Sequence, residues 1–236
     1  LPYYVEGMWY RDSSRDALVA NLYGPCRVRT TVAGSGVRIV EETSYPFSDQ
    51  IVFQVSVDPP QRFTLSLRVP PGAGDVKIEA GYGAKIQRDK SQIDITKTWQ
   101  QLDSAAVDFG FAVRRIQDRN GESYHMWGPL LFSLPLPEVR KAIREFAALD
   151  GKPSGFHMWE ITPKDPSGWS YCLDEASEFT LVQLDGGNEQ TPWANPPIGL
   201  RGTLLDDAGK PVQVILKPLG CSLLRRTSFP RAKDRD

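Results

Sequence analysis

The feature that most limits the folds open to this chain is a recurring alternation of apolar and polar residues. The segment 62–69 reads RFTLSLRV, so every second residue is apolar and its neighbours are polar or charged. Successive side chains of a β-strand point to opposite faces, and the pattern therefore predicts a strand with one buried face. The same alternation recurs at 26–32, 50–57 and 105–113.

Turn-forming residues separate these segments. AGSG fills 33–36, DPP fills 58–60 and PPG fills 70–72, and glycine and proline in such clusters mark tight connections. Short strands at close intervals with turns of this kind are typical of a sandwich of antiparallel sheets.

One segment has the spacing of an amphipathic helix instead. Within 137–149, Val139, Ile143 and Phe146 recur at intervals of four and three residues, after a proline and an acid at the start. Gly151 lies just past the end. Proline in the first turn and glycine beyond the last one are helix start and stop signals, so this segment is predicted to be a short helix.

Together these patterns predict an all-β chain of two antiparallel β-sandwich units joined by a short helical connector. The first sandwich is placed at 1–136, the connector at 137–152 and the second sandwich at 153–236. The second unit is short for two sheets of its own, so it could need strands from the first.

The charge of the chain is close to balanced. The 28 basic and 29 acidic residues leave a formal net charge of −1, which provides no electrostatic footprint for nucleic acid or an anionic membrane. No apolar run approaches the ~20 residues that span a bilayer, so neither partner is expected. The chain begins at Leu1, as a processed or trimmed product would, and no cellular location is predicted. The basic residues near the end are interpreted as a solvated tail: Arg225, Arg226, Arg231, Lys233 and Arg235.

Histidines and cysteines offer little catalytic chemistry. His125 and His157 each lie among aromatic residues in strand-like surroundings, where a structural histidine is expected. Cys26, Cys172 and Cys221 form no metal-binding pair. They are expected to be small buried side chains, with one disulfide left open. No phosphate-binding or dinucleotide-binding glycine motif is present.

Acid pairs matter because sugar hydrolysis usually requires two carboxylates that flank the scissile bond. The adjacent acids are Glu41-Glu42, Asp174-Glu175 and Asp206-Asp207. Neighbouring residues on a strand face opposite ways, so such a pair is poorly placed to act across one substrate. The last pair precedes Ala208-Gly209 and is expected in a hairpin turn. We therefore predict no catalytic, cofactor-binding or metal-binding residue in this chain, and substrate-binding residues stay unassigned.

Tryptophans near predicted loops allow two interpretations. They could provide flat surfaces on which sugar rings stack, or they could fill a core or an interface, as aromatic residues of sandwiches often do. The core or interface interpretation is favoured. The residues concerned are Trp9, Trp99, Trp169 and Trp193.

Several short motifs, taken in order, resemble the β-sandwich region of the β-L-arabinofuranosidase family of glycoside hydrolases. They cover nearly all of the chain, and each is weak by itself. The motifs are LYGP at 22–25, EETSYPF at 41–47, FTLSLRVP at 63–70, WGPLLF at 127–132, WSYCL at 169–173 and LKPLGCSLLRRTSFP at 216–230.

The resemblance implies that catalysis belongs to a part of the enzyme outside this chain. In that family an upstream (α/α)6 barrel holds a zinc-bound cysteine nucleophile and a glutamate acid/base, and an adjacent Cys-Cys pair shortly precedes the sandwich region. No Cys-Cys pair occurs here. The resemblance thus implies a non-catalytic accessory β-sandwich region, inactive alone, whose partner is the missing barrel and whose only implied cofactor is zinc in that barrel.

The chain also departs from the family pattern. Ser170 replaces the usual asparagine and Leu219 the usual tyrosine, and 72–87 matches poorly. These departures imply a diverged branch with a different substrate. Two alternatives from other classes stay open: a carbohydrate-binding module, suggested by the aromatic residues, and a structural or dimerisation domain. A homodimer and a carbohydrate are accordingly further partners to test.

Overall fold

The computed structural model describes residues 2–188 and 190–232, and nearly all of their regular structure is β-strand. The predicted all-β class is confirmed. The helical elements are α1 (Pro2–Glu6) and the 3₁₀ turns η1 (Ser167–Trp169) and η2 (Leu219–Cys221). The strands of the first half are β1 (Trp9–Asp12), β2 (Ala17–Ala20), β3 (Cys26–Val32), β4 (Ser35–Glu42), β5 (Gln50–Asp58), β6 (Gln61–Arg68), β7 (Lys77–Glu79), β8 (Lys85–Arg88), β9 (Gln92–Trp99) and β10 (Asp103–Asp108). Those of the second half are β11 (Val113–Gln117), β12 (Ser123–Trp127), β13 (Leu130–Pro135), β14 (Glu138–Ala147), β15 (Pro153–Pro163), β16 (Thr180–Gln183), β17 (Ile198–Leu205), β18 (Pro211–Pro218) and β19 (Arg225–Arg226). Among the described residues, neither α1 nor the 3₁₀ turns have the length and apolarity to cross a bilayer.

The chain divides into two compact units. The first consists of Leu1–Ala112 with Trp127–Pro129, and the second of Val113–Met126 with Leu130–Asp236. The division follows Ala112, whereas the sequence placed a boundary after Leu136. The difference arises because 113–136 supply three strands of the second unit's sheet.

The first unit contains two five-stranded sheets, in the orders β1-β2-β6-β9-β8 and β3-β4-β5-β10-β7. Side chains from both sheets fill its core; the rings of Trp9 in one sheet and Phe53 in the other lie 5.9 Å apart. One pair departs from the expected antiparallel arrangement, because β2 and β6 run parallel. Between them the chain passes through the other sheet and returns in the same direction, as parallel neighbours require.

Alternation predicted the buried faces of this unit correctly. In β6, Phe63, Leu65 and Leu67 are buried, while Arg62 on the opposite face is exposed. Ile51, Phe53, Val55 and Val57 form the corresponding buried face of β5. Burial of these large side chains is the main stabilising contribution, at roughly 1.5–3 kcal/mol each.

The main sheet of the second unit has seven strands, and the described residues of 153–236 form no separate sandwich. Its order is β11-β12-β13-β18-β17-β16, with β19 paired to β13. Phe132, Leu200, Leu216 and Phe229 are fully buried against it. A sandwich confined to 153–236 was therefore the wrong expectation, since β11, β12 and β13 precede that range.

The predicted helical connector at 137–152 is wrong. Strand β14 fills most of it and pairs antiparallel with β15 as a separate two-stranded hairpin. The pairing register shifts between Ala142 and Arg144 and again between Glu145 and Ala147. Ile143 lies at the first shift and Phe146 lies at the second. Each shift breaks the two-residue period of a strand, which left apolar residues at intervals that imitate a helix.

Candidate functional site

Glu41 is an acidic residue whose side chain is almost completely buried. It lies on β4 and is only 1% exposed. One carboxylate oxygen accepts the backbone N–H of Gly24 at 3.0 Å. The other accepts the indole N–H of Trp9 at 3.2 Å and the thiol of Cys26 at 3.5 Å. Burial raises the pKa of Glu41 to about 7, against the lowering effect of these three hydrogen bonds.

The cluster of Glu41, Trp9, Gly24 and Cys26 stabilises the fold and provides no activated nucleophile. Burial, followed by the negative charge of Glu41, raises the pKa of the Cys26 thiol to about 11. The thiol is therefore protonated at neutral pH and is a poor nucleophile. Glu42 is exposed on the opposite face of the strand, which confirms that this acid pair is divided between two faces. Glu41 thus joins β1, the start of β3 and β4.

The other acid pairs lie in turns. Asp206 follows β17, and one of its carboxylate oxygens accepts the backbone N–H groups of Ala208 and Lys210, both at 2.9 Å. This confirms the expected hairpin turn. Asp174 similarly accepts the N–H of Glu175 at 2.7 Å. Both aspartates cap local backbone rather than flank a cleft.

The two histidines have different surroundings. His125 is buried on β12, and its ring lies 4.4 Å from that of Phe179. Burial, with a smaller contribution from the charge of Arg115, lowers the pKa of His125 to about 4. The ring is therefore neutral, and its Nδ1 makes no hydrogen bond within the described residues. His157 lies on the β14–β15 hairpin, 3.9 Å from Glu145.

Cysteines and tryptophans divide between core and surface. All three cysteines are free thiols, so the disulfide that the sequence left open is absent. Trp99 is fully buried, as the core interpretation expected, and its indole donates to the carbonyl of Phe63 at 3.2 Å. Trp169 and Trp193 are 44% and 48% exposed. Among residues 2–188 and 190–232, no three His, Cys, Asp or Glu side chains are grouped as metal ligands would be.

A large exposed surface lies on the β14–β15 hairpin, whose first strand the sequence assigned to a helix. Every residue of β14 and β15 is at least partly exposed. We call their large exposed apolar side chains the hairpin surface: Val139, Ile143, Phe146, Phe156, Met158 and Trp159. Met158 and Trp159 are adjacent on one strand and so point to opposite faces. Apolar groups are therefore exposed on both sides of the hairpin.

A cluster of large exposed apolar side chains of this kind is typical of protein interaction surfaces. Phe156 is 75% exposed and Trp159 is 51% exposed, although isolated soluble domains usually bury side chains of this size. Arg140, Lys141 and Arg144 lie among them on β14. The sequence placed 153–163 in the second β-sandwich, and a strand is found there. The exposure of its apolar side chains could not be predicted, because it depends on the whole sheet arrangement.

Comparison with known proteins finds that this chain is similar to parts of glycoside hydrolases. The family model for the GH127 middle domain of β-L-arabinofuranosidases matches residues 17–111, which lie in the first unit. A search of curated proteins found no match.

Solved structures extend the likeness to nearly the whole chain. A GH127 β-L-arabinofuranosidase from Geobacillus stearothermophilus T6 superposes with a TM-score of 0.67 at 18% identity, over 95% of this chain and 34% of that one. A GH127 β-arabinofuranosidase gives 0.60 at 15% identity, over 93% and 36%. A protein described as a glycoside hydrolase gives 0.64 at 14% identity, over 95% and 37%.

The chain thus spans about a third of the length of the solved proteins that it matches. At these identities the structural likeness concerns the fold. Residues 17–111 match the model of the GH127 middle domain of β-L-arabinofuranosidases, and the chain as a whole has the fold of about one third of the Geobacillus enzyme.

Proposed function

We infer that this chain is the non-catalytic β-region of a GH127-like glycoside hydrolase and that it docks onto a separate catalytic domain. The observation that supports this most is coverage: the likeness takes in 95% of this chain but only 34% of the Geobacillus enzyme. The larger part of such an enzyme is therefore available for catalysis. Zinc chemistry of the kind implied by the resemblance would belong to that part, since the described residues offer no ligand set for it.

The docking surface in this proposal is the hairpin surface. A two-stranded hairpin without a covering layer is at best marginally stable in water. Here its strands are 10 and 11 residues long, which is well above the usual strand length. A partner that covers its apolar side chains would remove them from water and stabilise the hairpin.

The occupant that fits best is the catalytic domain rather than a second copy of the chain. Met158 and Trp159 expose apolar groups on opposite faces of one strand. A two-fold contact between two copies covers one face of each hairpin, whereas a larger domain can cover both. The solved relatives hold about two thirds of their length outside the matched part, so their chains contain a domain of sufficient size.

The activity test compares the isolated chain with the intact gene product that contains it. Hydrolysis of an aryl β-L-arabinofuranoside is measured for both. We expect turnover by the intact protein and none by residues 1–236 alone. Robust turnover by the isolated chain, abolished by a single substitution within it, would overturn the non-catalytic role.

The docking test uses the triple variant F156S/M158S/W159S, with Leu223→Ser, an exposed leucine of the same unit, as the matched control. The isolated chain and the separately expressed remainder of the gene product are titrated against each other by calorimetry. One aromatic anchor contributes ~2 kcal/mol to the free energy of binding. We therefore expect at least ~30-fold weaker binding for the triple variant and no change for the control. Self-association of the isolated chain in sedimentation, abolished by the same triple variant, would instead assign the surface to a second copy.

A further inference from the structure

A surface depression in the first unit brings together side chains that the docking proposal does not use. Its volume is about 400 Å³, which falls within the range of small-molecule sites. It lies where the ends of β6 and β9 meet the turns that precede β8 and β10. Its main lining residues are Arg62, Tyr82, Lys97, Thr98, Gln100 and Asp103.

Tyr82 stands on the rim with its whole side chain in solvent. It lies in a Gly-Tyr-Gly turn in which Gly81 and Gly83 have φ angles of +69° and +75°. This left-handed backbone is readily adopted by glycine, and it holds the aromatic ring away from the core. A flat aromatic side chain that none of the described residues covers is available to pack against a ligand.

The floor of the depression is a fixed, electrically neutral ion pair. The Lys97 ammonium lies 3.1 Å from an Asp103 oxygen, and the two side chains are 7% and 17% exposed. Lys97 also donates to the carbonyl of Ala80 at 3.3 Å. The second Asp103 oxygen accepts the backbone N–H of Gln100 at 3.0 Å. These bonds hold the floor in one geometry before any ligand arrives.

Three further polar residues line the depression. Arg62 and Thr98 are directly opposite each other in the β6–β9 pairing, and Gln100 follows β9. The hydrogen bonds and ion pairs of the described part of the chain do not occupy the Arg62 guanidinium, the Thr98 hydroxyl or the Gln100 amide. Together they offer several donors and two acceptors at one place, which is what a ligand rich in hydroxyl groups requires.

We propose that this depression binds a neutral saccharide. The Tyr82 ring packs on the apolar face of the sugar, and Arg62, Thr98 and Gln100 exchange hydrogen bonds with its hydroxyl groups. The Lys97–Asp103 pair cancels its own charge, and the Arg62 guanidinium can donate to the hydroxyl oxygens of a neutral sugar. An anionic sugar would gain the charge of Arg62 but would also lie close to the Asp103 carboxylate. The site is in the first unit and the hairpin surface is in the second, so either proposal can fail without the other.

The experiment titrates the full chain with arabinobiose, xylobiose and glucuronate by calorimetry. We expect a Kd near ~1 mM for a neutral disaccharide, as is typical of a shallow site that buries one ring. Tyr82→Ala should weaken binding at least ~10-fold, whereas Tyr82→Phe, which keeps the ring, should stay within ~3-fold. Tyr10→Ala is the matched control, because Tyr10 is also exposed in this unit and lies outside the depression.

Three results would overturn the proposal. No heat of binding with either neutral disaccharide at ~10 mM would reject the site, given the expected affinity. Binding that Tyr82→Ala leaves unchanged would place the sugar elsewhere. Tighter binding of glucuronate than of the neutral sugars would reject the ligand class. Circular dichroism of each variant separates loss of binding from loss of fold.

Discussion

At the scale of the residue, Glu41 lies at a position of β4 where the alternating pattern predicts a buried apolar side chain. Ser35, Val37, Ile39 and Glu41 form the buried face of β4, and Glu41 ends that series. An acid at an apolar position of an alternating segment is a signal that the sequence contains. Its partners Trp9 and Gly24 could not have been inferred, because they lie far away in sequence and meet Glu41 only in the folded unit.

Glu41→Gln is predicted to flatten the dependence of stability on pH. The pKa of Glu41 is raised from 4.5 to about 7 in the folded chain. Its stabilising contribution is therefore complete below pH 4.5 and is lost as pH rises through about 7. We expect the free energy of unfolding of the first unit to fall by up to ~3 kcal/mol over this range in the wild type, and by much less in the variant.

Urea unfolding at a series of pH values measures this effect. Glu42→Gln is the matched control, because it removes the same charge from the exposed face of the same strand and should leave the pH profile as it is. Parallel profiles for wild type and Glu41→Gln would contradict the assignment of the shift to burial of Glu41.

At the scale of the element, the strands that kept an uninterrupted period of two were predictable, and β14 was not. β5 and β6 present unbroken buried faces, whereas β14 contains two register shifts at or beside Ile143 and Phe146. The sequence records the spacing of apolar residues but not the partner strand that decides whether an extra residue forms a bulge or a helical turn.

The Tyr82 depression was beyond sequence reasoning for a related reason. The Gly-Tyr-Gly turn was recognisable as a turn, but Arg62 and Thr98 meet only through the register of β6 with β9. The tryptophans, for which sugar stacking was the less favoured interpretation, include Trp99 at the centre of the core. Aromatic type alone does not distinguish an exposed ring from a buried one.

Gly128→Ala is predicted to destabilise the turn between β12 and β13. Gly128 has a φ of +53°, and a methyl group there would lie 2.4 Å from the ring of Phe111. That ring is held by stacking on Phe109 and by an edge contact with Trp127, so it cannot move freely. We expect a loss of roughly 2–4 kcal/mol, from backbone strain together with overpacking, in urea unfolding.

Gly34→Ala separates these two causes. Gly34 also has a positive φ, of +87°, but a methyl group there meets no atom within 4 Å. Only the backbone term remains, so a loss of about 1 kcal/mol is expected. Equal losses for the two variants would show that the contact with Phe111 contributes nothing.

At the scale of the whole molecule, two buried titratable groups act in opposite directions. Glu41 belongs to the first unit and His125 to the second. The pKa of His125 falls from 6.5 to about 4 on folding. The contribution of His125 to the free energy of unfolding is therefore complete above pH 6.5 and is lost as pH falls towards about 4. This is the reverse of the pH dependence of Glu41.

Acidification from pH 7 to 5 is therefore predicted to stabilise the first unit and to destabilise the second, each by about 1–3 kcal/mol. Hydrogen exchange resolved by peptide, and corrected for the intrinsic effect of pH, reports each unit separately. His125→Phe should abolish the response of the second unit and leave that of the first. A response of the same sign in both units would contradict the prediction.

The short segment Trp127–Pro129 has a consequence for inheritance. This segment belongs to the first unit, although the residues on both sides of it belong to the second. The indole N–H of Trp127 donates to the carbonyl of Phe111 at 3.1 Å. A gene fragment that ends at residue 112 would encode the entire stretch matched by the family model and still lack a piece of that fold. Recombination at that point would transmit an incomplete first unit, so an exchange that keeps this unit whole has to include the residues up to Pro129.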